Sequence, residues 1–240
     1  MNIMETWLVN MPIAKNGLTS DMVPETSEFA IQNAIKNNYA IYITLRRTLD
    51  GVVVAFTDNT LSRLTKKDGY IANMNYEDIK DLKLLKTDCT ILTLEKVLEI
   101  VDGNVPILFE LKSNNDLPIE NLVFEQLKSY KGEFAICSYN PNIILWFKLN
   151  APTFKRGIVS SFFKHVDLPK LQKNYYKKMK GNKISDPNFI VYDANNIPNR
   201  FVKKFKHLPL IGLDVDSLEK YDKVLKYCDN IIFEKIRPNM

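Results

Sequence analysis

The sequence predicts a TIM (β/α)8 barrel of the α/β class with a small insertion after its second strand. Short runs of β-branched residues alternate with longer segments of helical periodicity, which is typical of parallel strands joined by helices. Eight of these runs are candidates for parallel strands, and eight βα units in 240 residues match the usual size of such a barrel. A doubly wound sheet is the alternative, but no glycine-rich phosphate loop follows the first strand.

The individual elements follow from the same periodicities. The first strand is expected at Leu8 to Ala14 and the second at Ala40 to Leu45. The other six parallel strands are expected to begin at Pro106, Phe134, Arg156, Phe189, Leu208 and Asn230. Ser27 and Thr93 are placed to cap helices. The apolar face of the helix after Ser27 is expected to consist of Phe29, Ile31, Ala34 and Ile35.

The predicted insertion covers approximately residues 46–90, within a single domain of residues 1–240. The segment Thr48-Leu49-Asp50-Gly51 is typical of a hairpin turn, and the strand Val52 to Phe56 follows it directly. This extra strand should therefore run antiparallel to the second strand. The rest of the insertion is expected to contain a helix around Tyr76 to Leu82 and little other regular structure.

The composition is that of an ordinary soluble globular chain. Its net charge of +5 allows an anionic partner without requiring one. Cys89, Cys137 and Cys228 are odd in number and far apart, so we expect reduced thiols and a cytoplasmic location. Both histidines, His165 and His207, are expected to be surface or packing residues. No secretory leader pattern and no apolar run of ~18 residues is present, so no membrane span is expected.

Six groups of residues occur in an order and spacing that are typical of one enzyme family. They are Ile13–Gly17 with Pro24–Thr26, Asp50–Val54 with Asp58–Thr65, Ile91–Leu98, Leu108–Lys112, Ser138–Asn140 and Asp229–Glu234. Together they resemble the motifs of the glycerophosphodiester phosphodiesterase (GDPD) family. The resemblance implies a TIM barrel with an insertion after the second strand. It also implies metal-assisted hydrolysis of a phosphodiester, with two histidines as general acid and base and carboxylates holding Ca²⁺ or Mg²⁺.

The residues that would carry this chemistry are mostly replaced in the present chain. The two histidines of the family correspond to Lys15 and Thr57, and the paired metal carboxylates correspond to Tyr42 and Thr44. Glu110 is the usual metal carboxylate that remains. The resemblance therefore implies a catalytically degenerate member of the family.

The surviving charges allow two interpretations. A single carboxylate at Glu110 makes a poor site for a hard divalent cation, and the ammonium of Lys15 would repel one. Together with Arg46 and Lys112, Lys15 could make the barrel mouth cationic. These side chains then either bind an anionic ligand or form internal salt bridges to Glu110 and Glu25.

We predict a non-catalytic GDPD-like protein, a pseudoenzyme, with a binding or regulatory role. Its predicted ligand-binding residues are Lys15, Glu25, Tyr42, Thr44, Arg46, Thr57, Asp58, Glu110 and Lys112. No catalytic residue, metal ligand or cofactor is predicted. The expected partner is a phosphorylated small molecule or another protein, nucleic acid is not expected, and the oligomeric state is left open.

Two other functions are retained as alternatives. The first is an active phosphoric diester hydrolase, a GDPD that uses Ca²⁺ or Mg²⁺ and a site rebuilt from Lys15, Asp58 and Glu110. The second is a nucleic-acid-binding regulator that uses the basic and aromatic residues between Lys164 and Lys183. The second is the less favoured, because a solvated helix face explains the same stretch.

Overall fold

The structure, a computed structural model, describes residues 3–112, 118–164 and 166–238. Two compact units divide the chain, one of residues Ala14–Phe134 and the other of Met1–Ile13 with Ala135–Met240. The strands are β1 (Ile13–Lys15), β2 (Ala40–Arg47), β3 (Val53–Ala55), β4 (Ile107–Leu111), β5 (Phe134–Ser138), β6 (Arg156–Ser160), β7 (Phe189–Asp193), β8 (Leu210–Val215) and β9 (Asn230–Phe233). The α-helices are α1 (Trp7–Asn10), α2 (Glu28–Lys36), α3 (Ser62–Thr65), α4 (Leu94–Val101), α5 (Glu120–Leu127), α6 (Pro141–Asn150), α7 (Lys170–Lys177), α8 (Asn182–Ser185) and α9 (Leu218–Val224). His165 lies outside the described residues.

In the unit Ala14–Phe134, β2 and β4 form a parallel pair in which Thr44 lies opposite Glu110. The first seven residues of β2 are buried, as expected for a parallel strand that is covered on both faces. The helix α2 begins as predicted, because the Ser27 hydroxyl accepts a hydrogen bond from the backbone N–H of Ala30 at 3.2 Å. The predicted apolar face was wrong at Phe29, which is exposed, whereas Ala30 on the neighbouring position is buried.

The segment between β2 and β4 contains the predicted hairpin and a small apolar cluster of its own. The strand β3 runs antiparallel to β2, with Arg46 opposite Val54. The helix expected at Tyr76 to Leu82 is only one 3-10 turn, Tyr76–Asp78. The short helix α3 was not predicted. The buried residues of the apolar cluster are Val54, Phe56, Leu61, Leu64, Ile71, Ile79, Leu84 and Ile91.

In the other unit, β5 to β9 follow one another as parallel neighbours. The predicted first strand was wrong over its first half, where the structure has the helical turn α1. Residue Thr6 explains the turn, because its carbonyl accepts hydrogen bonds from the N–H groups of Val9 and Asn10. The side chain of Asn230 then donates to the carbonyl of Leu8 at 2.9 Å, which gives this non-strand backbone a partner.

The hydrogen-bonded order of the strands is β1-β9-β8-β7-β6-β5-β4-β2-β3, and β1 also pairs with β2. Eight parallel strands therefore follow one another in a cycle, and β3 is added beside β2. This order confirms the predicted TIM barrel with a small insertion after the second strand. Within the described ranges, none of the helices has both the length and the hydropathy that a membrane span requires.

Candidate ligand-binding site

All nine predicted ligand-binding residues lie in the unit Ala14–Phe134. They are carried by strands and by the segments that adjoin them, where barrels of this class place their sites. Lys15 ends β1, Glu25 precedes α2, Tyr42, Thr44 and Arg46 alternate along β2, Thr57 and Asp58 follow β3, Glu110 lies in β4, and Lys112 follows β4. Most of them belong to two groups of hydrogen-bonded side chains.

The first group, which we call the strand cluster, consists of Thr44, Glu110 and Lys112. The hydroxyl of Thr44 donates to Oε2 of Glu110 at 3.2 Å, because the β2–β4 register sets these residues side by side. The ammonium of Lys112 donates to Oε1 of the same carboxylate at 2.5 Å. The Glu110 side chain is 3% exposed and that of Lys112 is 24% exposed. Both carboxylate oxygens therefore have a donor, and the charge of Glu110 is neutralised by a lysine.

The second group, the loop cluster, consists of Glu25, Thr57, Asp58 and Arg63. The guanidinium of Arg63 binds Glu25 through two hydrogen bonds of 2.9 and 2.8 Å, and its Nε donates to Asp58 at 2.5 Å. The hydroxyl of Thr57 donates to Oε1 of Glu25 at 2.8 Å. Arg63 is carried by α3, so this cluster ties the segment after β3 to the loop before α2.

Electrostatics hold Glu25 in its ionised form. Burial, the largest single influence, raises the pKa of Glu25. It is outweighed by the hydrogen bonds from Arg63 and Thr57 and by the positive charges of Arg63 and Lys15, so that the pKa of Glu25 is lower than usual. The same ion pairing raises the pKa of Arg63, chiefly through its hydrogen bonds to Glu25. Glu25 and Arg63 are therefore both charged at neutral pH.

Arg46 is a further cation of this region, and its side chain is buried. Its Nε and Nη2 both donate to the backbone carbonyl of Thr57, at 3.1 and 2.6 Å. Burial lowers the pKa of Arg46 to about 10, against the opposing influence of the Glu110 and Asp58 carboxylates. Arg46 thus remains protonated at neutral pH.

Asn16 joins the loop cluster to β2. Its backbone lies in the left-handed region, with φ of 55°, which asparagine tolerates better than most residues. Its N–H donates to the carbonyl of Tyr42 at 2.7 Å, and its side-chain Nδ2 donates to the hydroxyl of Thr57 at 3.0 Å. The side chain is buried, and among the described residues its Oδ1 has no hydrogen-bond partner. Asn16 therefore presents a buried acceptor next to Thr57.

Comparison with known proteins identifies the family. Residues 17–211 match the model of the glycerophosphoryl diester phosphodiesterase family. The chain belongs to this family. Over 145 residues it is 30% identical to glycerophosphodiester phosphodiesterase 1 of Rattus norvegicus, a match that covers 55% of this chain and 43% of the relative. The Homo sapiens protein of the same name is 29% identical over 144 residues, with the same coverage. The chain thus spans less than half the length of these relatives.

Solved structures of the family share the fold. An Oleispira antarctica phosphodiesterase in complex with the product sn-glycerol-3-phosphate superimposes with a TM-score of 0.80 at 19% identity, covering 95% of this chain and 93% of that one. A glycerophosphodiester phosphodiesterase of Thermotoga maritima gives a TM-score of 0.71 at 20% identity, covering 93% of both chains. At these identities the similarity establishes the barrel fold and nothing finer.

A divalent cation does not fit the residues around Glu110. A hard cation requires several anionic oxygens that converge on one point. Here both oxygens of Glu110 accept hydrogen bonds from Thr44 and Lys112, and the lysine places a positive charge against the carboxylate. Within residues 3–112, 118–164 and 166–238 there is no group of three or more His, Cys, Asp or Glu side chains suited to a metal ion.

Two residues of the site, Arg63 and Asn16, were not among the predicted ones. Both stand inside the motifs that carry the family resemblance, since Arg63 follows Asp58 by five positions and Asn16 follows Lys15 directly. The charge of Arg63, close in sequence to the retained Asp58, was a signal that could have suggested a pair. The buried acceptor of Asn16 had no comparable signal, because it depends on a left-handed backbone conformation.

Proposed function

We propose that this member of the GDPD family is a non-catalytic protein that binds a phosphorylated small molecule and requires no metal cofactor. The observation that carries the proposal is the strand cluster, in which Thr44, at a position where the family has a metal carboxylate, is a hydrogen-bond donor to Glu110. The carboxylate at the retained metal position, Glu110, is neutralised by Lys112 and hydrogen-bonded by Thr44. A side-chain ammonium thus lies against the carboxylate that would otherwise be available to hold a cation.

The acid–base groups of the family reaction support the same proposal. Proton transfer to and from oxygen near neutral pH suits a group such as imidazole. At one of the two corresponding positions, Thr57 has a hydroxyl that donates to Glu25 and accepts from Asn16. That hydroxyl does not titrate near neutral pH, so it is a poor replacement for a general acid or base.

Charge balance supports an anionic ligand. The site holds four basic side chains against three carboxylates, which are Lys15, Arg46, Arg63 and Lys112 against Glu25, Asp58 and Glu110. A monoanionic or dianionic phosphate group would complement this excess of positive charge. A phosphate ester therefore fits the charge of the site.

The binding test uses sn-glycerol 3-phosphate, which is the product bound in the Oleispira antarctica phosphodiesterase. Isothermal titration calorimetry should show binding, and inorganic phosphate should compete. Replacing Lys15 with Gln should weaken binding at least about tenfold, because a charge-assisted hydrogen bond is lost. Lys96→Gln is the matched control, since it removes a lysine whose ion pair is with the exposed Glu99 on α4.

The activity test separates the proposal from its main alternative. Purified protein is incubated with glycerophosphocholine or bis-(p-nitrophenyl) phosphate in the presence of Ca²⁺, Mg²⁺ or Mn²⁺, and no turnover above the blank is expected. Turnover that needs added metal and is abolished by Glu110→Ala would establish an active hydrolase with a rebuilt site and overturn the proposal.

A further inference from the structure

A second part of the molecule, in the unit that contains α7, has an unusual distribution of charge. The segment from Leu168 to Ser185 contains no acidic residue and no arginine. Its six basic residues are Lys170, Lys173, Lys177, Lys178, Lys180 and Lys183. The six lysines give this segment a charge of +6, whereas the whole chain has a net charge of only +5.

The C-terminal end of α7 is firmly attached to the unit. The hydroxyl of Ser160 donates to the carbonyl of Tyr176 at 3.0 Å, and the hydroxyl of Tyr192 donates to the carbonyl of Lys177 at 3.2 Å. The ammonium of Lys177 also lies 4.4 Å from the centroid of the Phe162 ring, a cation–π contact. These contacts fix the direction in which the rest of the helix projects.

The other face of α7 is left without a covering element among the described residues. No residue of α7 is buried. Leu171 is 85% exposed and Tyr175, four positions later on the same face, is 37% exposed. Two further aliphatic side chains nearby in sequence, Val166 and Ile184, are exposed as well. The lysines are thus interspersed with protruding apolar side chains.

We propose that this lysine-rich face, defined as residues 166–184 and containing six lysines and one acidic residue, Asp167, docks onto a membrane surface that contains anionic lipids. Lysines on an amphipathic helix are attracted to anionic headgroups, while the aliphatic side chains enter the boundary between headgroups and acyl chains. The long stems of the lysines allow their ammonium groups to stay at the level of the phosphates. The protein would lie on the membrane without crossing it.

The observations favour a lipid surface over a nucleic acid. Base recognition relies strongly on arginine, and single-stranded nucleic acids stack on exposed aromatic rings. The segment has no arginine, and its most exposed apolar side chain is Leu171, an aliphatic residue. An aliphatic side chain gains little from a polynucleotide but is transferred out of water by a bilayer.

Vesicle flotation tests the proposal with the full chain. The protein should float with phosphatidylcholine vesicles that contain about 30% phosphatidylglycerol, and it should not float with pure phosphatidylcholine. Raising the salt concentration from about 0.05 M to about 0.5 M should strongly reduce binding, because the charge attraction is screened. Absence of binding to the anionic vesicles at low salt would overturn the proposal.

Matched variants locate the surface. Lys170→Gln with Lys180→Gln should weaken partitioning about 30-fold, since each lysine near an anionic surface contributes about fivefold. The control, Lys223→Gln with Lys226→Gln, removes the same charge from exposed residues at the end of α9 and just beyond it, and should have little effect. Equal losses for the two double variants would mean that net charge, and not this face, drives binding.

Replacing Leu171 distinguishes the two classes of macromolecule. Leu171→Gln keeps the charge and should weaken vesicle binding about fivefold, because the inserted apolar side chain is lost. Circular dichroism should show an unchanged fold, since Leu171 is exposed. If the protein binds a single-stranded RNA or a DNA duplex more tightly than vesicles, and Leu171→Gln does not alter either affinity, the face is a nucleic-acid surface and the lipid proposal fails.

Discussion

The strand cluster and the loop cluster neutralise carboxylates in two different ways. In the strand cluster, Glu110 and Lys112 belong to one stretch of chain, and the partner Thr44 is fixed by the β2–β4 register. In the loop cluster, Arg63 reaches Glu25 from α3, a short helix far along the chain. Glu110 is almost fully buried, whereas half of the Arg63 side chain is exposed. The two pairs therefore sit in different dielectric environments.

This difference indicates what each cluster contributes. The strand cluster is a buried charge pair whose partners cannot separate without leaving a charge out of contact with water, so it should be costly to break. The loop cluster is a partly hydrated pair with bidentate geometry, whose contribution is smaller and depends on salt and pH. In the function proposed above, the strand cluster keeps a cation away from Glu110, while the loop cluster ties the segment after β3 to the loop before α2. Substitutions that disrupt the two clusters separately test this difference.

The largest effect is expected from Lys112→Met. The substitution leaves the buried Glu110 carboxylate without its cation, which should lower the free energy of unfolding by about 3 kcal/mol in urea denaturation. Lys96→Met is the matched control, because it removes a lysine from a Lys–Glu pair of 2.8 Å in which both side chains are more than half exposed. That control should cost less than about 1 kcal/mol.

The double variant Glu110→Gln with Lys112→Met sharpens this test. If the cost of Lys112→Met arises from an unpaired buried charge, removing that charge should restore most of the lost stability. A double variant less stable than Lys112→Met alone would show that Glu110 contributes through other contacts. A Lys112→Met variant no less stable than Lys96→Met would show that the strand cluster is as weak as an exposed pair.

The same comparison explains how much of the molecule the sequence could predict. The barrel was predictable because every strand of a closed parallel sheet is a short buried run, so periodicity alone identifies it. The first half of the predicted first strand was wrong because a buried apolar residue such as Leu8 is compatible with both a strand and a short helix. In the structure Leu8 is buried and lies in the helical turn α1. The prediction that Phe29 is buried was wrong because apolar side chains are often found on the surface, so apolar character alone does not establish burial.

The two clusters of the candidate site also differ in how far the sequence predicts them. Positions in the strand cluster follow from strand alternation and register, so Glu110 and Lys112 could be placed together from the sequence. The partners of the loop cluster depend on the path of the chain after β3, where 3-10 turns and α3 replace long periodic elements. Arg63 was missed for this reason, and the salt bridges considered for Arg46 are replaced by hydrogen bonds to the carbonyl of Thr57.

A smaller effect is expected from Arg63→Gln. Glu25 loses two charge-assisted hydrogen bonds, and the free energy of unfolding should fall by about 1–2 kcal/mol. The loss should shrink at high salt, since half of the Arg63 side chain is exposed to solvent. Lys83→Gln, which removes the exposed pair with Asp88, is the control and should cost less than about 0.5 kcal/mol. A loss of stability that does not change with salt would mean that the loop cluster, like the strand cluster, behaves as a buried ion pair.

The smallest effect is the pH dependence of Glu25. Its pKa is lower in the folded chain than the usual value of 4.5, so the folded state favours the ionised form. A lowered pKa stabilises the fold above the unfolded pKa, and that contribution is lost as the pH falls through the folded pKa. Glu25→Gln should therefore cost roughly 1 kcal/mol at pH 6 to 7. The difference from wild type should shrink as the pH falls below the usual value of 4.5 and vanish once the pH lies below the lowered pKa of the folded chain. Asp68→Asn, at an exposed position of the same insertion, is the control for general charge effects.

A Glu25→Gln difference in stability that persists unchanged at low pH would mean that the Glu25 side chain contributes by packing and not by its charge. The loop cluster would then not be held by electrostatics, unlike the strand cluster.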